Sequence, residues 1–179
     1  MTVLSKSFRK RCEAIAAEKR IALDLRIFDP LPANRLAGHF QALVRKPDEL
    51  DLPQQVIDYF LQDHTWWGIL FPFHPPIIVY DPHQSPARYE STIMHELAHI
   101  ILKHPPERIY FATDGTFHRE FDSQLEAEAA YLGSCLQIPR RGLLWAAQNG
   151  MKNEEIAQHF GASIEMVIWR QNAVNPVRN

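Results

Sequence analysis

Residues 91–102 read STIMHELAHIIL, and the way this stretch folds decides how the rest of the chain is understood. It is an apolar run carrying His95, Glu96 and His99 in the pattern H-E-x-x-H. The pattern predicts a helix over residues 90–104, ended by Pro105 and Pro106, with residues 81–89 as the loop before it. On a helix, positions i and i+4 lie on one face, so both imidazoles can turn a ring nitrogen toward one ion. Glu96 sits about 100° around the helix and reaches the position a water would take on that ion. Zinc lowers the pKa of such a water, and a neighbouring carboxylate can accept its proton as it attacks a carbonyl. Two histidines and a glutamate inside so apolar a run would be costly without partners, which favours a metal site over coincidence.

Two ligands do not complete a catalytic zinc site, which takes three protein ligands and leaves one position open. A metzincin continuation is excluded, because Leu102 and Pro105 stand where a glycine and a histidine would be needed. His104 lies five residues past His99. On a continuous helix it falls on the side away from His95, where it reads as the end of the helix near the negative pole of its dipole. The second candidate helix, 121–136, contains SQLEAEAAYLGSCL. Its apolar stripe runs through Leu125, Ala129, Leu132 and Leu136, and Glu128 lies at the edge of that stripe. A carboxylate beside a buried face needs a cation, so Glu128 is the expected third ligand. Glu126, on another side with Ala130 and Gly133, is the reserve, and its plainer reading is a solvated helix residue.

Before the H-E-x-x-H stretch the pattern gives helices at 5–25, 33–40 and 51–63, with Asp51 as a possible cap for the third. Short strands are expected at 41–47, 65–71 and 76–81, and the proline-rich spacer FPFHPP turns the last two into an antiparallel pair. Trp66, Trp67, Phe71 and Phe73 read as core, with one of them free to line a cleft. Helices, a small sheet, then helices again argue for an α+β fold. The sheet is expected to be mostly antiparallel and packed on helices, one of them the zincin-like H-E-x-x-H helix. A small C-terminal unit resembling a helix-turn-helix follows: Ile156, Ala157 and Phe160 are apolar, Gly161 marks the turn, and Ser163 caps a helix with Val167 and Ile168. The expected division is 1–142 for the main domain and 143–179 for this unit. A DNA reader is strongly basic on one face. Here Arg170, Gln171 and Asn172 are accompanied by Glu154, Glu155 and Glu165, which argues against DNA binding and for packing or partner docking. His159 reads as a surface or satisfied histidine.

The 179 residues, 22% charged and with net charge −2, suit a globular domain without a global pull toward nucleic acid or anionic membrane. Two cysteines, Cys12 and Cys135, are too few and too far apart for a disulfide framework. No stretch reads as a signal peptide or a membrane span, so a cytoplasmic setting is expected.

Taken together, PIIVYDP, SPARYESTIMHELAHIILKH and EAEAAYLGSCLQIP resemble, in that order, the ImmA/IrrE (DUF955-type) metallopeptidases of bacteria and their mobile elements. Arg88, Thr92, His95, Glu96, His99, His104, Glu126, Glu128 and Pro139 fall into that family's register. Ala98 stands where a glycine is common, and Ala130 and Leu132 replace the usual Asn and Phe. The resemblance implies a gluzincin-like zinc (Zn2+) endopeptidase with His95, His99 and Glu128 on the metal and Glu96 as the base. It also implies a protein substrate, typically a helix-turn-helix repressor, whose cleavage relieves repression of phage, conjugative-element, toxin–antitoxin or stress genes. The rival readings are a zinc-stabilised regulatory protein that binds a repressor or DNA without turnover, and a DNA-binding regulator with a vestigial site. Arg88 is read as an ion-pair anchor for the active helix. Tyr110, His118 and Tyr131 all remain open as the donor to a tetrahedral intermediate.

Overall fold

The structure, a computed structural model, describes residues 4–62, 66–105, 109–111, 117–119 and 122–174; for Tyr59 and the segments 109–111 and 117–119 it describes the backbone only. Helix α1 (Lys6–Ala22) starts at Ser5, whose Oγ accepts the Phe8 N–H at 3.1 Å. After α2 (Ala33–His39), β1 (Leu43–Arg45) and a 3-10 turn at Pro47–Glu49 comes α3 (Gln54–Gln62). Asp51 does not cap α3: the first turn forms past Pro53, whose carbonyl accepts the N–H groups of Val56 and Ile57. Strands β2 (Gly68–Phe71) and β3 (Ile77–Tyr80) precede α4 (Pro86–Leu102). Helix α4 is longer at its start than its apolar pattern suggests. Ser85 accepts the Arg88 N–H and Pro86 occupies the first turn, a strong start signal at a site that reads as loop by composition.

Strands β2 and β3 pair antiparallel, with Gly68 opposite Tyr80, as the proline spacer requires. The expectation of a mostly antiparallel sheet needs correction, because β1 pairs parallel to β3, with Leu43 opposite Ile77. The order is β1-β3-β2. A parallel neighbour needs a crossover of about a dozen residues or more, and α3 with its flanks supplies it. Between α4 and the next helix, a stretch that reads as polar connection contains the antiparallel pair β4 (Ile109–Phe111) and β5 (Phe117–Arg119).

Helix α5 (Ser123–Gln137), with Asp122 accepting the N–H groups of Gln124 and Leu125, runs antiparallel to α4. The main core is built where α1, α4 and α5 meet: Cys12, Ala16, Ile93, Met94, Leu97, Ala98, Leu132 and Leu136 are all fully buried. Helices α6 (Arg140–Gln148), α7 (Asn153–Phe160) and α8 (Ile164–Val174) enclose a second cluster around Leu143, Ile156, Phe160 and Val167. Gly161, at φ +62, ends α7, and Ser163 Oγ accepts the Met166 N–H at 3.1 Å to start α8.

Buried polar groups tie the two clusters together. Arg20, with no exposure, donates to the Leu136 and Gln137 carbonyls at 2.8 and 3.3 Å, occupying the open end of α5. Gln137 Nε2 donates to the Gly161 carbonyl at 2.9 Å, and His159 Nε2 donates to the Phe28 carbonyl at 2.8 Å. Arg170 is fully buried, donates through Nε to the Ile138 carbonyl at 2.8 Å, and pairs with Glu13. The cation offered by the C-terminal segment is thus spent inside the protein, and Gln171 is held by Asn153 at 2.9 Å. Arg170→Ala leaves Glu13 and a buried carbonyl without their partner; a loss of roughly 2–4 kcal/mol is expected, read as a lower urea midpoint.

Candidate metal centre

Helix α4 delivers three groups to one place. His99 and Glu96 are 6% and 3% exposed, while His95 stands at the mouth with a quarter of its side chain open. The Nε2 atoms of His95 and His99 are 3.1 Å apart. Between them lies a carboxylate: Glu126 Oε2 is 3.1 Å from His95 Nε2, and its Oε1 is 3.3 Å from His99 Nε2. His95, His99 and Glu126 are also the one such group of potential ligands among the described residues. Tetrahedral zinc with bonds of about 2.0–2.1 Å has ligand–ligand edges of about 3.3 Å. The two nitrogens are an edge apart and each has one Glu126 oxygen at about that distance, so two imidazoles and a carboxylate make a donor set that fits the ion. Burial raises the Glu126 carboxyl, but hydrogen bonds from His95 and His99, and their charge, more than reverse this and hold it well below the usual carboxylate range.

The carboxylate placed at the histidines is therefore Glu126, the reserve, and Glu128 is turned elsewhere. The reason lies in Gly133, seven residues or almost two turns after Glu126 and so on the same face. A Cβ at Gly133 would sit 3.1 Å from the His95 backbone nitrogen and from the Met94 carbonyl oxygen. That face is where the α4 and α5 backbones come closest. The apolar stripe beside Glu128 serves α1 as well as α4, and Glu128 is near enough to Cys12 to help raise its thiol, which burial pushes to about 12.

His104 corrects a second expectation. Lys103 adopts φ 56, a left-handed cap that turns the chain back, so His104 does not continue the helix. Its Nδ1 comes to 3.0 Å from His99 Nδ1, and its Nε2 lies 3.5 Å from Glu128 Oε2. That last distance is an ion-pair separation, and the buried Nε2 makes no hydrogen bond. Burial, with the charge of His99, lowers the His104 pKa against the pull of Glu128. When a metal is bound, a neutral His104 can accept a hydrogen bond at Nδ1 from His99 Nδ1–H, which favours the His99 tautomer whose Nε2 is unprotonated and able to bind metal. Glu128, held by Gln124 Nε2 at 2.6 Å, closes the line behind it. His104→Leu should weaken zinc binding about 10- to 100-fold in a chelator competition, with His104→Asn, which keeps an acceptor near that position, losing less.

Glu96 faces the start of β2. A Cβ on Gly68 would lie 3.1 Å from Glu96 Oε1 and 2.6 Å from Thr92 Cγ2, so only glycine allows the strand this close. Thr92 Oγ1 donates to Gln84 Oε1 at 2.8 Å, and Gln84 Nε2 donates to the Asp81 and Trp67 carbonyls at 2.9 and 3.2 Å. Strand, loop and helix are thereby locked around Glu96. Gly68→Ala should shift Glu96 and lower kcat by about 100-fold, with metal content unchanged. Arg88 is not an ion-pair anchor: its guanidinium lies 4.4 Å above the Trp67 ring, and among the described residues no carboxylate is within ion-pair distance. Trp66 is buried as core, whereas Trp67 and Phe73 are exposed. Tyr131 packs against Phe8, Trp169 and Arg170, in the layer shared with α1 and α8. The side chains of Tyr110 and His118 lie outside the described residues. The sequence reading kept Glu126 only as the reserve and assigned no role to Gly133 or Gly68; a small residue inside an apolar helix was the available signal for the close approach at Gly133.

A family profile described as Peptidase_M78, IrrE N-terminal-like domain, matches residues 48–171, and the chain belongs to that peptidase family. Among solved structures, a chain described as a Mycobacterium tuberculosis transcriptional regulator shares the fold, with a TM-score of 0.57 and 16% sequence identity. The match covers 94% of this chain and 47% of that one, so the chain spans about half the regulator's length. No curated protein matches the sequence. Among the described residues no helix is long and apolar enough to cross a membrane.

Proposed function

We propose that the chain is a zinc-dependent endopeptidase of the gluzincin kind, with His95, His99 and Glu126 as metal ligands and Glu96 as general base. The observation that carries this reading is the convergence of two imidazole nitrogens and the Glu126 carboxylate within about 3.3 Å of one another, with a buried carboxylate one residue away on the same helix. Zinc bound there supplies a Lewis acid that makes water acidic near neutral pH. Glu96 takes the proton of the attacking water and returns it to the departing amine. Among the described residues β2 is the end strand of the three-stranded sheet, and it lies beside Glu96.

The proposed substrate is a cytoplasmic regulatory protein, of the helix-turn-helix repressor type. Membership of a peptidase family implies a protein substrate, and the structural neighbour's description as a transcriptional regulator fits a regulatory setting. Residues 1–142 would form the zincin-like domain and 143–179 a helix-turn-helix-like unit that docks rather than reads DNA, since its Arg170 is buried against Ile138 and Glu13 of the first part. A zinc-stabilised regulator without turnover is the second reading, but such a protein has no use for a base at Glu96. The test is terminal-amine mass spectrometry on an extract of cells expressing the protein or its Glu96→Gln variant. New protein N-termini that depend on Glu96 are expected. Identical termini in the two extracts would leave the docking reading in its place.

A further inference from the structure

A cavity of about 590 Å³ opens between α4, α5 and α8, lined among others by Ala87, Arg88, Ser91, Ala130, Met166 and Trp169. Its position is set by helical geometry. Ser91 is one turn before His95 on α4, and Ala130 is one turn after Glu126 on α5. The cavity therefore begins one turn from each of two candidate ligands, on the faces that carry them. Arg88, seven residues before His95, is about 10 Å further along, the length of some three residues of extended peptide.

The chemistry of the walls selects an occupant. Ala87 and Ala130 are small and leave the space open. Trp169 is 45% exposed, held at one edge by Tyr131, and Met166 adds a thioether beside it. Arg88 is held over Trp67 and presents a guanidinium at the rim. An indole, a thioether and a cation are the three groups that receive an aromatic ring well. Arg88 is offset by Glu165, also on the lining, so the cavity does not select for a charged side chain. We infer that this cavity is a specificity pocket for an aromatic residue of the substrate, two or three positions from the bond that is cut, with α8 forming one wall. The helix that resembles a DNA reader in sequence then serves substrate selection. This rests on the peptidase reading for its link to cleavage, but not for binding itself.

The test separates the two. N-acetyl-phenylalaninamide and N-acetyl-alaninamide are titrated to about 10 mM into the metal-free protein, following the indole N–H resonances by NMR. The phenylalanine compound should shift the Trp169 and Trp67 signals with a Kd of about 1 mM, and the alanine compound should not. Ala130→Leu and, independently, Ala87→Leu fill the cavity and should abolish the shifts, each with an unchanged melting temperature. In the zinc-loaded protein, a positional-scanning peptide library should show aromatic preference at one position, lost in the filled variants. Binding without any cleavage would sink the peptidase reading and keep the pocket. Absence of indole shifts, or shifts that persist in a folded filled variant, would overturn the pocket even if peptides are cut.

Discussion

Glu96→Gln is expected to lower peptide cleavage by roughly 100- to 10,000-fold while leaving zinc content and melting temperature unchanged. The substitution is nearly isosteric and keeps the side chain packed beside Gly68, so β2 and α4 should hold their places. What is lost is the capacity to accept a proton, because an amide oxygen is a far weaker base than a carboxylate. Glu96 is 3% exposed, so bulk water does not readily replace it at that spot. Zinc should stay, since its three proposed ligands are intact. The measurement is cleavage of the best peptide from a library, beside metal analysis of the same preparation. Full activity in Glu96→Gln would remove the general base from the mechanism. Loss of zinc together with activity would make Glu96 part of the metal's own shell and not its neighbour.

How much of this was legible in the sequence depended on whether the cause was local. His95, Glu96 and His99 could be read because i, i+4 spacing fixes their common face without reference to the rest of the fold. The antiparallel turn between β2 and β3 was legible for the same reason, since the prolines that make it lie within it. Glu126 was legible only as the reserve, because α5 buries more than one side and Glu128 stands at the edge of the stripe of larger apolar residues. Gly133 marks the close approach, yet a small residue contributes little to an apolar count. His104 was missed because the helix was extended one residue past Lys103, whose left-handed conformation no residue type demanded. Arg170, read with Gln171 and Asn172 among the polar residues of the last helix, proved fully buried, and its partner Glu13 is far away in sequence. The parallel pairing of β1 and the short β4–β5 pair depend likewise on where distant segments dock.

Glu126→Ala should reduce zinc affinity by more than 100-fold, and Glu128→Ala by no more than about 10- to 100-fold. The first removes a carboxylate whose two oxygens lie 3.1 Å from His95 and 3.3 Å from His99, leaving two ligands where a catalytic zinc takes three. The second removes a carboxylate that touches the centre only through His104, itself one imidazole behind His99. A ligand and a group standing behind a ligand thus differ in magnitude and not in sign, which is why both variants must be measured on one scale. Competition against a chromophoric chelator at fixed pH supplies that scale. Folding should not confuse the result, because both side chains are only half-buried and the α5 cap is made by Asp122. The order of the two losses decides which face of α5 meets the metal. If Glu128→Ala strips the zinc and Glu126→Ala does not, α5 must rotate when the ion enters, and the carboxylate now between the histidines would be a placeholder that leaves.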